Sequence, residues 1–302
     1  MSSDLDMLID RRRLKRRLSL WRLVAILAVA ALVIWALTPF GGIERGPYVA
    51  RVTINDIIVE NPQLESVLQE VAEDSNARAL VVRINSPGGT TAGSEGLYHA
   101  IRRVGANKPV VAVMGTLAAS GGYLTAIAAD HLIARETTIT GSIGVIFQAA
   151  ELSGLFDKVG IGVETVKSGA LKGEPSIDKP MSDEARAAIQ AMIDDSYNWF
   201  VDLVAERRGL DRTAVIRLAD GRVYTGRQAV ANGLVDAVGG ERDARRWLES
   251  EHGVSGELPV VDKDLTPKER LLTDLVGSVI QKIMSVEELT LDGMVSLWHP
   301  TR

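Results

Sequence analysis

The chain has 302 residues, 46% of them hydrophobic and 24% charged, with a formal net charge of −5. That is a globular composition with room for one large core or two smaller ones, which excludes a disordered chain. The absence of cysteine excludes disulfides, a thiolate nucleophile and thiolate metal sites, and His99, His131, His252 and His299 show no metal-ligand spacing, so no metal or other cofactor is expected.

The first informative stretch is RRRLKRRLSLWR (11–22), which carries seven basic residues and no acid. Residues 23–43, LVAILAVAALVIWALTPFGGI, follow without a charge. Twenty-one helical residues reach about 31 Å, enough to cross a bilayer core. The basic cluster is expected to stay in the cytoplasm and send the rest across, and Trp21, Trp35 and Phe40 lie near the ends of the span. A cleavable signal peptide shares the basic-then-apolar layout. The apolar run is long for one, however, and no Ala-x-Ala site follows, so an uncleaved anchor is expected. The chain divides into a cytoplasmic basic tail (1–22), a transmembrane anchor (23–43), an exported domain (44–262) and a helical tail (263–302). Residues 1–22 hold seven basic and three acidic residues, net +4, leaving −9 for the remainder. An acidic exported domain offers no footprint for nucleic acid, and no nucleic-acid partner is expected.

The exported part reads as repeated β-α units. VARVTINDIIV (49–59) is rich in β-branched residues and suits one strand, or a hairpin bent at Asn55 and Asp56. QLESVLQEVAED has helical periodicity, and ALVVRIN (79–85) is a continuous apolar run of the kind covered on both faces. EGLYHAIRRV predicts a helix, PVVAVMG a strand, SGGYLTAIAAD a helix and HLIAR a strand. This alternation argues for a parallel sheet with right-handed crossovers. Residues 181–209 predict a two-part helix entered through Pro180 and capped by Ser182, and TGRQAVANGL (225–234) a helix ending at Asn232-Gly233. The tail after residue 263 is amphipathic and separable from the core.

Four segments place glycine and serine after apparent strands: INSPGGT (84–90), AASGGY (118–123), TITGSIGV (138–145) and VKSGALKGEPS (166–176). Each alone reads as a turn or a close-packing site, and the lysines of the fourth read as solvated. In an open α/β sheet, however, functional groups gather beyond the carboxyl ends of the strands, where these four loops meet. Ser120, at a strand-to-helix junction, is then a candidate nucleophile and needs a base. His131 begins a strand and His99 lies within a helix, which leaves a Ser–Lys pair. A lysine base has to be neutral, which requires a dry site and predicts activity rising toward alkaline pH.

The run of motifs RINSPGG, MGTLAASGGYLTAIAAD, TITGSIGV, VKSGALKGEPS and DGRVYTGRQAVANGLVDAVGG, in this order across residues 48–240, resembles signal peptide peptidase A, the protease IV family of membrane-anchored Ser–Lys peptidases. The resemblance implies an α/β fold of the Clp protease/crotonase type, a spiral of β-β-α units, here in a short single-copy form that assembles as a homo-oligomeric ring. It implies Ser120 as nucleophile, Lys172 as general base with Lys167 as its competitor, Ser142 orienting the Lys172 amine, and Gly89 and Gly121 N–H groups as the oxyanion hole. It also implies that Ser120 and Lys172 meet across a subunit interface. The implied substrates are cleaved signal peptides at a bacterial inner membrane, met on the periplasmic side, with the lipid bilayer as a partner through the N-terminal helix. A catalytically silent scaffold of the same fold, and a crotonase-type acyl-CoA enzyme, are the alternatives.

Overall fold

The computed structural model describes residues 17, 21–28, 46–263 and 295–297. The chain divides into two compact units at Arg45. In the first, residues 21–28 form a helix, α1, with exposed side chains, and the remainder of the expected span lies outside the described residues. Among the described residues no helix is long and apolar enough to cross a membrane.

The second unit begins β1 (Tyr48–Ile58), α2 (Pro62–Glu73), β2 (Ala77–Thr90), α3 (Thr91–Gly105), β3 (Val110–Ala119), α4 (Gly121–Ala126), β4 (His131–Ala134) and β5 (Ile139–Gly141). It continues α5 (Ser153–Val159), α6 (Asp183–Arg208), α7 (Arg212–Leu218), β6 (Val223–Thr225), α8 (Gly226–Ala231), β7 (Ala237–Val238), α9 (Glu241–His252) and β8 (Val260–Asp262). The strand β9 (Val295–Leu297) replaces helix at three residues of the tail, and the rest of residues 264–302 lies outside the described residues.

The expected α/β class holds. β1, β2 and β3 pair in parallel through the apolar runs, with Ala50, Leu80 and Val110 sharing one register row. One face of this sheet packs against α2, α3, α4 and α6 through Leu68, Leu97, Ile101, Leu124, Phe200 and Val204. The other face is covered by α9, whose Ala244 and Leu248 meet Val49, Ala79, Val81 and Val111. Burying a Leu, Ile or Val side chain is worth about 1.5–3 kcal/mol, so these two layers are what hold the strands in place.

One expected alternative is selected and one expectation is corrected. Of strand and hairpin, residues 48–58 form the single strand; the bend at Asn55-Asp56 is a bulge, where Asp56 takes φ 60° and the pairing with β2 slips between Asn55 and Ile57. Residues 183–208 form one helix of 26 residues instead of two. It contains no Gly or Pro to interrupt it; its buried large side chains, Phe200, Val201 and Val204, lie toward its end, so only the burial changes along its length.

The sheet forks at β3. Val111–Met114 pair with β4, whereas Leu117–Ala119 pair with β5, and β2 holds the opposite edge throughout. The β2–β3 register jumps from Ile84–Met114 to Ser86–Ala118, so Gly115, Thr116 and Leu117 loop out opposite Asn85. Side chains satisfy the peptide groups released there: Leu117 N–H donates to Asn85 Oδ1 at 3.2 Å, and Thr138 Oγ1 donates to Gly115 C=O at 2.7 Å. The fork brings the ends of β2, β3 and β5 side by side.

Candidate active site

Ser120 is the residue between β3 and α4. Its backbone lies at φ 56°, ψ −120°, outside the wells open to L residues, and its side chain is buried. The turn is tied on both sides: Ser120 N–H donates to Gly141 C=O at 2.8 Å, and Leu124 N–H donates to Ser120 C=O at 2.9 Å. A hydroxyl on a sharp strand-to-helix turn is presented at the end of the sheet, next to first-turn N–H groups that have no intrahelical acceptor. Gly121 supplies the first of those groups. Gly122 lets α4 approach β2, because a Cβ there would sit 2.8 Å from Ser86 C=O.

Ser142 stands at the end of β5. The register pairs Ala119 with Gly141, so Ser120 and Ser142 follow neighbouring positions on adjacent strands. Ser142 also takes a positive φ, 50°, is nearly buried, and donates its N–H to Arg222 C=O at 2.8 Å. Two non-glycine residues in this backbone region, one strand apart, are a local concentration of strain of the kind found at functional sites.

Gly88 and Gly89 were expected in a turn, yet they prolong β2 to Thr90. They pair with Ile57 and Ile58 beyond the bulge, and a Cβ on Gly89 would lie 1.7 Å from Ile58 C=O, so only glycine permits this approach. Because β1 holds one edge, the other edge of Gly88–Thr90 lies beyond the point where β3 turns into α4. β9 occupies it as an antiparallel strand, with Gly89 opposite Ser296. Ser86, which the sequence did not single out, fastens this segment: its buried Oγ donates to Asp56 C=O at 2.5 Å and accepts from Gly88 N–H at 3.1 Å. The SPGG pattern, a small hydroxyl two residues before a glycine, was the available signal.

Ser120, Gly121 and Ser142 therefore follow the ends of adjacent strands, and Gly89 lies further along β2, three residues past the Ser86–Ala118 pair. Lys172 does not join them through any contact described for it. It is exposed in a turn closed by its own N–H to Gly169 C=O at 3.1 Å and by Glu174 N–H to Leu171 C=O at 3.2 Å. Lys167 has a different fate. Its ammonium and that of Lys179 both pair with Glu174 Oε1. The Lys167 hydrogen bond, followed by that of Lys179, holds the Glu174 carboxyl below its ordinary range. Lys167 is thus committed to a carboxylate as a cation, whereas Lys172 has no ion pair among the described residues. The arm around Lys172 is apolar and open: Leu155, Val159, Ile161 and Val163 are each more than half exposed, and Val166 is 95% exposed.

Comparison with known proteins adds three findings. Peptidase family S49 matches residues 102–255. A provisionally named protease of Synechocystis is 39% identical over 222 residues, 73% of this chain and 80% of its own length; a provisionally named signal peptide peptidase of Enterococcus faecium is 34% identical over 233 residues, 77% and 67% of the two chains. Among solved structures, a ClpP1 variant from Listeria monocytogenes aligns with a TM-score of 0.42 at 18% identity, covering 64% of this chain and 92% of that one.

Proposed function

Because the chain belongs to peptidase family S49, we propose that it is a membrane-anchored serine endopeptidase in which Ser120 is the nucleophile and Lys172 the general base. The observation that carries this reading is the strained, doubly tied turn at Ser120 beside a β2 edge that already accepts an antiparallel strand. An extended peptide taking the place of β9 on that edge forms main-chain hydrogen bonds with Gly88–Thr90 and brings a carbonyl toward the serine hydroxyl. Neutral Lys172 takes the Ser120 proton as the oxygen attacks. The Gly89 and Gly121 N–H groups hold the developing oxyanion, and Ser142 orients the amine. Lys172 then gives the proton to the leaving amine, and water, activated by the same amine, hydrolyses the ester.

No contact described for Lys172 involves Ser120, Ser142, Gly89 or Gly121, which fits a dyad shared between protomers. The exposed apolar arm that carries Lys172 is the surface such assembly would bury, which fits a homo-oligomeric ring. The name of the Enterococcus relative favours cleaved signal peptides as substrates. The basic and apolar N-terminus favours a bacterial inner membrane with the peptidase domain outside the cytoplasm.

The test is hydrolysis of a fluorogenic apolar peptide by the detergent-purified full chain, comparing the parent with Ser120→Ala, Lys172→Ala and a mixture of the two under subunit exchange. Two inactive variants that regain activity on mixing are expected. Turnover by Ser120→Ala overturns the serine peptidase, turnover by Lys172→Ala overturns the base, and a parent that neither turns over peptide nor labels with a serine-directed probe favours the silent scaffold.

A further inference from the structure

Glu174 lies two residues beyond Lys172, and its environment differs from that of the turn it follows. Its side chain is 4% exposed, although Lys172 and Gly173 are open to solvent. Its Oε1 receives ammonium groups from both flanks of the turn, Lys167 before it and Lys179 after it. Its Oε2 is buried without a hydrogen-bond partner among the described residues.

This arrangement is a poor stabilising device. A half-exposed ion pair such as Lys179–Glu174 contributes little to stability, and an acceptor oxygen left without a donor works against it. What the arrangement does achieve is geometric. A single carboxylate oxygen gathers the two flanks of the segment and closes it at its base, so the Gly169–Glu174 turn is held in one place. We infer that Glu174 is a positioning residue for the general base: it fixes the turn that carries the Lys172 amine and keeps Lys167 out of competition by holding it in an ion pair. This rests on Lys172 being the base.

Misplacing a reacting group by about 1 Å costs on the order of a hundredfold in rate, and such a loss falls on kcat because Lys172 meets a proton and not the body of the substrate. Glu174→Gln is therefore expected to lower kcat ten- to a hundredfold at unchanged KM, melting temperature and subunit assembly. Glu174→Asp, which keeps the charge on a shorter arm, should recover part of the loss. Lys179→Met removes one tether at a half-exposed position, so the fold is not at risk, and it should lower kcat severalfold at the same KM. The assay is peptide hydrolysis by the full chain in detergent, with thermal unfolding and sedimentation on the same samples and Lys172→Ala beside them. If Lys172→Ala is inactive while Glu174→Gln and Lys179→Met keep the parental kcat, this inference fails and the base assignment stands. If Lys172→Ala is active, the base assignment fails first. Activity, melting temperature and assembly falling together in both Glu174 variants and in Lys179→Met would make Glu174 a structural residue and overturn the inference.

Discussion

The backbone at Ser120 leads to a measurable asymmetry between two variants. At φ 56°, ψ −120° a non-glycine residue carries strain of about 1–3 kcal/mol, which glycine does not pay. At an ordinary buried site, Ala→Gly loses about 0.7 kcal/mol to the freer unfolded chain and about 0.8 kcal/mol for the missing methyl, near 1.5 kcal/mol in all. At Ser120, relief of roughly 2 kcal/mol of strain reverses that order. Comparing Ser120→Gly with Ser120→Ala cancels the lost hydroxyl, so the difference reports the backbone and the one methyl group. In a domain of this size 1 kcal/mol moves the melting temperature by about 2–4 °C. The glycine variant should then melt at or up to about 2 °C above the alanine variant, where an unstrained site would put it about 3–6 °C below. The assay is thermal unfolding of both full-length variants at one protein concentration, followed by fluorescence or calorimetry. A glycine variant melting 3 °C or more below the alanine variant refutes the strain and removes the reason for a serine to be held there.

Two further changes test the frame around the site. Gly122→Ala places a methyl carbon 2.8 Å from Ser86 C=O, so α4 has to retreat from β2; destabilisation by about 1–3 kcal/mol, seen in urea unfolding, and a fall in peptide turnover are expected. Asp236 accepts from Arg208 at 2.6 and 3.0 Å and from Leu132 N–H at 2.7 Å. Burial works to raise its pKa, but the Arg208 hydrogen bond and charge outweigh it and leave the carboxyl below its ordinary range. A folded-state value below the unfolded one means that Asp236 stabilises above about pH 4 and loses that contribution as pH falls further. Asp236→Asn should cost about 2 kcal/mol at pH 7 and flatten the acid side of the stability profile, read from unfolding midpoints between pH 3 and 7.

The strands whose burial covers both faces, 79–85 and 110–114, were legible because period and composition agree there. So were the caps at Ser182 and Asn232, where a side chain or a glycine marks the end of a helix. The serines and glycines of the candidate site could be read from their places after strands. The fork in β3 could not, because it depends on Asn85 and Thr138 accepting and donating at a register jump that no local pattern announces. Asn55-Asp56 left strand and hairpin both open for a related reason: a positive φ serves a bulge as well as a reversal, and only the neighbouring strand decides which. Glu174 was passed over since a carboxylate between lysines in a loop is ordinarily solvated, and its burial is a tertiary fact.

The fork in β3 also separates what can vary from what cannot. Its lower half leans on β4, β7 and, across the sheet, α9, while its upper half leans on β5 and β6 and ends at Ser120. Changes to the first group act on the foundation of the strand, which runs on to Ser120 through the register jump at Gly115–Leu117. Changes to the second group act directly on the neighbour that receives the Ser120 N–H. A designer seeking a more durable enzyme works on the packing of the lower half, and one seeking altered selectivity has to work in the upper half and accept the risk to turnover.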